Sequence, residues 1–126
     1  MITDESHRVV AFTSVAMTAV DRSAAPSALG RRAPDPVPAL LIGRLAVDRT
    51  WAGRGVGTAL VSYVLATAVE LNERAACRAV VVNALDDAAR VWWEQLGFHR
   101  FDRDDPANLD LFLLTDEIAA TLDALS

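Results

Sequence analysis

The stretch that most restricts how this chain can fold runs from Arg44 to Leu60, RLAVDRTWAGRGVGTAL. An apolar run with Leu40, Leu41, Ile42, Leu45, Ala46 and Val47 gives way to glycines at alternate positions, Gly53, Gly55 and Gly57, and a long apolar-periodic segment follows. The pattern predicts a strand, a glycine loop and a helix N-terminus. Glycines there admit backbone angles closed to other residues and keep side chains from shielding the N–H groups. The first N–H groups of the next helix lack intrahelical acceptors and sit at the positive end of its dipole, which suits a phosphate or pyrophosphate. An isolated G-x-G is more often a turn that merely needs glycine. The strand before it and the helix after it favour the anion cradle.

A chain of 126 residues reads as a single domain over 1–126, long enough to bury a core. Cys77 is the only cysteine, so an intrachain disulfide and a cysteine-based metal site are excluded. Only His7 and His99 join it, and no metal is expected. Val56 to Leu71 is interrupted by Thr58, Ser62, Tyr63, Thr67 and Glu70, too polar and too short for a membrane span. The first residues carry Asp4 and Glu5 without a basic region, which argues against a secretion signal and makes the cytoplasm the default.

Charge is unevenly placed within the net −5. The first 55 residues are slightly basic, whereas residues 101–126 hold one arginine against seven acids. An acidic chain is a poor general nucleic-acid binder, although a local arginine face still holds phosphates. All 12 basic residues are arginine, which suits bidentate phosphate contacts; a compositional bias of the source genome explains the absence of lysine equally well.

In chain order, Arg8 to Val20 is rich in β-branched and small residues and predicts a strand. Asp21 to Pro36, with Pro26, Gly30, Pro34 and the Arg31-Arg32 pair, predicts a long loop, and its arginines are a candidate phosphate contact. A second strand is expected from Val37 to about Asp48. Val56, Leu60, Val64, Ala68 and Leu71 form a helical stripe ending near Arg74. Arg78 to Leu85 has the composition of a strand buried on both faces. Asp86 and Asp87 supply an N-cap and a negative first turn for a short helix, Ala88 to Leu96, stopped by Gly97. Strands at Phe98–Phe101 and Leu109–Leu114 follow, and Thr115 is expected to cap a closing helix to Leu125. This order implies an α/β mixed sheet with helices packed on it.

LAVD, GRGVGTAL, VVVNAL and a helix ending in EQLGF, in that order and spacing, resemble the GNAT superfamily of acyl-CoA-dependent N-acyltransferases. More narrowly, PDPVPALLIGRLAVD, the glycine loop and AARVWWEQLGF resemble the acetyltransferase toxins of toxin-antitoxin pairs. The resemblance implies a GNAT-like fold, N-terminally short, with acetyl-CoA as cosubstrate. Its pantetheine arm would pair with the backbone of Leu45, Ala46 and Val47, where two central strands splay. Its pyrophosphate would lie on Gly53, Arg54, Gly55, Val56, Gly57 and Thr58, at the start of the helix. Asn83 would contact the cofactor or orient the acceptor amine, unless it only satisfies a turn at its strand end. In the toxin branch the acceptor is the α-amine of an aminoacyl-tRNA, held here through arginines, and the partner is a small ribbon-helix-helix antitoxin.

The chain departs from the family pattern at three places. Ala52, three residues before Gly55, stands where arginine or glutamine is usual. Trp93 stands where a tyrosine commonly protonates the departing thiolate; an indole N–H donates a hydrogen bond but does not supply that proton. The hydroxyl candidates in its stead, Thr58, Ser62 and Tyr63, belong to the earlier helix. Relatives usually carry further elements before the strand at Val9, so the acceptor side is either open or closed by a second subunit, and the uncovered sheet edge and apolar face make a homodimer the expectation. Three readings follow: a toxin-type acetyltransferase of aminoacyl-tRNA, an acetyltransferase of a small-molecule or peptide amine, and a weak or inactive acyl-CoA-binding homologue.

Overall fold

A computed structural model describes residues 2–21, 36–75 and 77–125. Among these residues six strands and three α-helices follow in the order β1 (Ile2–Thr3), β2 (Val9–Val20), β3 (Val37–Val47), α1 (Val56–Ala75), β4 (Ala79–Asn83), α2 (Asp87–Gln95), β5 (His99–Arg100), β6 (Asp110–Leu114) and α3 (Ile118–Leu125). Short 3₁₀ turns occupy Arg49–Trp51 and Thr115–Glu117. The two-residue β1 is an addition to the expected order. The long loop and its Arg31-Arg32 pair fall outside the described residues.

The sheet runs β1-β2-β3-β4-β6-β5, and β3-β4 is its one parallel pair among the described residues. A parallel pair needs a crossover, which the glycine loop and α1 provide. Strand β4 reads AVVVN and its first four residues are all buried, because α1 and α3 cover one face while a second apolar cluster forms on the other. On the helical face Leu40, Ile42 and Val80 meet Val61, Leu65 and Ile118. On the opposite face Val37, Ala39, Val81 and Phe112 pack together. The buried side of α1 is wider than the stripe foreseen at Leu60, Val64 and Ala68, since Val61 and Leu65 are fully buried beside it. Two adjacent rows are what a helix needs when it lies across a sheet.

Strands β3 and β4 part company where β3 is bulged. Ser14 pairs with Arg44 and Val15 with Ile42, so Gly43 is an extra residue on β3. A bulge bends its strand and sharpens the local twist. Pairing of β3 with β4 ends at Ile42 and Val82, while β3 itself continues to Val47. One backbone edge of residues 43–47 is therefore left without a strand beside it among the described residues, which opens a cleft through the sheet.

Helix α2 starts as the sequence implies. Asp86 is extended, its carboxylate accepts from the Ala89 N–H at 2.8 Å, and Asp87 lies in the first turn. A cap of this kind contributes about 1 kcal/mol. Gly97, at φ +109, ends the helix in a conformation closed to most residues. Thr115 does not act as expected. It opens a 3₁₀ turn without capping it through its side chain, and α3 begins only at Ile118. Its buried hydroxyl instead donates to the carbonyls of Cys77 and Arg78, both at 3.1 Å. A hydroxyl taken out of water needs such a partner, and carbonyls from a distant segment satisfied it before the local N–H groups did. The Glu117 carboxylate, which accepts from the Leu114 N–H, serves that turn.

Candidate functional site

The loop after β3 is set by Asp48. Its carboxylate accepts from the Thr50 N–H and hydroxyl at 2.9 and 2.8 Å and from the Arg8 guanidinium at 3.1 Å. These bonds, the Thr50 N–H foremost, hold its pKa below the usual carboxylate value. The Asp-x-Thr pattern is an Asx-turn signal, and it marks the residue that turns the chain out of the sheet into the glycine loop. Gly53 and Gly55 then adopt φ +77 and +78, the left-handed region, with open space where a Cβ would stand. Both glycines are required by the backbone rather than by crowding. Gly57 differs. A Cβ there would come within 3.3 Å of the Trp92 indole and 3.6 Å of Val47, so this glycine lets α1 approach α2 and β3 closely.

Helix α1 opens on Val56 with the Gly55 carbonyl accepting from Ala59, and with no acidic residue in its first turn. The N–H groups of Val56, Gly57 and Thr58 have no intrahelical acceptor, and the helix dipole adds positive potential there. These groups border a cavity of about 710 Å³ that extends along the free edge of β3 to the end of β4. Leu45, Ala46, Val47, Gly53, Gly55, Val56, Gly57 and Thr58 all line it, and Asn83 and Trp93 line it further in. Arg54 does not line it; its guanidinium lies over the Trp51 ring, 5.0 Å from the centroid. Phe12, Trp51, Leu85 and Trp92 complete the apolar walls. Sequence reasoning missed Phe12, Trp51 and Leu85, since each is an isolated apolar residue whose position depends on the open cleft. Leu85 is 91% exposed, an unusual exposure for leucine that only the folded chain reveals.

Trp93 is 5% exposed, packed edge-on against Trp92 and Phe98 at centroid distances of 4.9 and 5.0 Å. It is a core residue with one side towards the cavity. Among the alternative hydroxyls, Tyr63 is 72% exposed and lies outside the cavity, and Ser62 donates to the Thr58 carbonyl. Thr58 is the one that lines the cavity. Asn83 directly opposes Asp110 on β6, and its amide nitrogen donates to the Asp110 carboxylate at 2.7 Å. That bond sets the amide orientation and leaves the Asn83 oxygen as an acceptor.

The arrangement fits an acyl-CoA. An unpaired strand edge offers backbone groups to the amides of an extended pantetheine arm. The loop and the α1 terminus offer N–H groups to a pyrophosphate, and a largely apolar cleft keeps water from the thioester. Among the described residues no group of His, Cys, Asp and Glu could hold a metal ion. No helix is long and apolar enough to cross a membrane.

Comparison with known proteins agrees with this geometry. The acetyltransferase (GNAT) domain model matches residues 3–100. A tRNA-acetylating toxin of Mycobacterium tuberculosis is 37% identical over 112 residues, covering 89% of this chain and 67% of that protein. A tyrosine-to-phenylalanine mutant of KacT superposes with a TM-score of 0.82 at 25% identity, over 93% of this chain and 69% of that one. AtaT complexed with acetyl-methionyl-tRNAfMet gives 0.81 at 23%, with the same two coverages, a likeness of fold. The chain thus spans about two thirds of the length of these relatives.

Proposed function

Because the chain belongs to the GNAT acetyltransferase family, whose domain model spans most of it, we propose that it transfers the acetyl group of acetyl-CoA to the α-amine of aminoacyl-tRNA, as the toxin of a toxin-antitoxin pair. The observation that carries the reading is the cavity running unbroken from the glycine loop, along the free edge of β3, to Asn83. It is supported by the 37% identity to a tRNA-acetylating toxin and by the fold shared with AtaT, which is known both with acetyl-methionyl-tRNAfMet and, as AtaTR, with AcCoA. In this reaction the amine nitrogen attacks the thioester carbon, the C–S bond breaks, the nitrogen loses a proton and the thiolate gains one. Holding the two reactants in register and donating to the developing oxyanion supply most of the acceleration. Leu45, Ala46 and Val47 bind the arm, Gly53, Gly55, Val56, Gly57 and Thr58 bind the pyrophosphate, and Asn83 orients the amine.

Acceptor and antitoxin belong to the same proposal: a ribbon-helix-helix antitoxin neutralises the protein, and the target places it in the cytoplasm. We also propose a homodimer. Val9, Phe12, Val15 and Met17 are exposed along β2, whose outer edge has no neighbour from Phe12 onward among the described residues. Light scattering at micromolar concentration is expected to give twice the chain mass, and a monomer would count against pairing.

A second reading, an acyl-CoA-binding protein without turnover, is favoured by one observation: Trp93 is packed into the core and offers no proton to a thiolate. Calorimetry with acetyl-CoA followed by a thiol-release assay separates the two. Binding and thiol release with charged tRNA, and little release with small amines, are expected. Binding without release leaves the second reading, and no binding removes both.

A further inference from the structure

A second cavity, about 440 Å³, lies beside the first, and the two share Val82 and Asn83. Its size is that of a small-molecule site. Val20, Leu41, Val81 and Phe101 give it apolar walls. Its polar rim includes Asn83, Asn108 and Asp110, and among the described lining residues there are two carboxylates, Asp21 and Asp110, and no basic side chain. Asp110 is held firmly: its N–H donates to the Asn108 side-chain oxygen at 3.0 Å, and one carboxylate oxygen accepts from Asn83. Its second oxygen is engaged by none of the described residues.

We infer that this cavity receives the acceptor as a primary ammonium carried on an uncharged, apolar group, with Asp110 as the residue that binds the ammonium and holds it beside Asn83. The inference rests on the acetyl-transfer reading for the direction of approach, but its content comes from the cavity itself. A charge-assisted bond from the ammonium to the second Asp110 oxygen is the strongest contact these walls can offer. The neighbouring Asn83 oxygen accepts from the same nitrogen and marks the point where the donor cavity begins. An acceptor group bearing a carboxylate or phosphate would meet Asp110 and apolar walls instead, a pairing that costs several-fold to many-fold in affinity. On an aminoacyl-tRNA this selects apolar aminoacyl groups and leaves the RNA phosphates outside the cavity.

The test is a chemical-shift titration of the full chain, with and without CoA, using L-leucinamide and the α-amide of L-glutamic acid. Leucinamide is expected to shift the resonances of Val81 and Phe101 and to bind at least about tenfold more tightly than the glutamate α-amide. Asp110→Asn, isosteric at an exposed position, is expected to weaken leucinamide by about tenfold with CoA affinity unchanged; Asp110→Glu is expected to restore part of the loss. Leucinamide binding that is absent, or unaffected by Asp110→Asn, overturns the inference, as does equal binding of the two amides. If leucinamide binds as described but no charged tRNA is acetylated, the tRNA reading fails and the assignment of the cavity stands.

Discussion

Gly55→Glu is expected to abolish acetyl-CoA binding while the chain stays folded. The backbone at Gly55 is left-handed, and the position opens on free space rather than on packed atoms. A glutamate there pays a left-handed conformational cost of about 1–2 kcal/mol and brings a carboxylate to the N–H groups that would hold the pyrophosphate. Like charges brought together in a binding site cost several kcal/mol, so the affinity loss is expected to exceed about 100-fold by calorimetry. Gly55→Asn separates backbone from charge. Asparagine tolerates the left-handed region, so this variant is expected to bind within about tenfold of the natural chain. Unchanged affinity in a folded Gly55→Glu protein would reduce the loop to a turn. Equal loss in both variants would put the whole effect on the backbone.

Trp93 carries the other large effect, because it is at once a core residue and a wall of the cavity. Trp93→Ala is expected to cost about 3–5 kcal/mol, the range for removing a large buried aromatic, and urea denaturation measures it. That is a large share of the total stability of a domain, usually about 5–15 kcal/mol. Trp92 and Phe98 each lose an edge-on partner, and the cavity loses its inner wall. Trp93→Tyr keeps an aromatic ring at the position and adds a phenol bordering the cavity. It is expected to fold, with a smaller loss, and to raise the rate of thiol release at least tenfold, since a positioned general acid contributes about 100-fold or more. A folded Trp93→Tyr with unchanged turnover would show that proton delivery to the thiolate is not what limits the natural chain.

The two predictions differ in how early they can be written down. The glycine loop is legible because its requirements are local: alternate glycines, an apolar run before them and a helical stripe after them lie in one continuous stretch, Leu40 to Leu71. Backbone angles at Gly53 and Gly55 follow from that neighbourhood and from nothing further away. Trp93 is legible only by resemblance. Its burial against Phe98 and its second face towards the cavity depend on how α2 meets the sheet. The side chain of Arg54 is a further feature that only the folded chain places, with its guanidinium over the Trp51 ring. Thr115 shows another, a hydroxyl in the right place for a cap that met two carbonyls from the β4 segment first.

By itself the sequence determined the order of the elements from β2 onward, the two-sided burial of β4, the Asp86 cap, the Gly97 stop and the glycine turn, but neither β1 nor the start of α3. All of these rest on periodicities and backbone preferences that act over a few residues. Only the tertiary structure decided that an extra residue at Gly43 would part β3 from β4 and expose a strand edge to a cavity. It also decided that Asn83 would meet Asp110, 27 positions further on, at the point shared by two cavities. Those features depend on the register of strands distant in the chain, and a register is chosen by the packing of whole faces rather than by any one stretch.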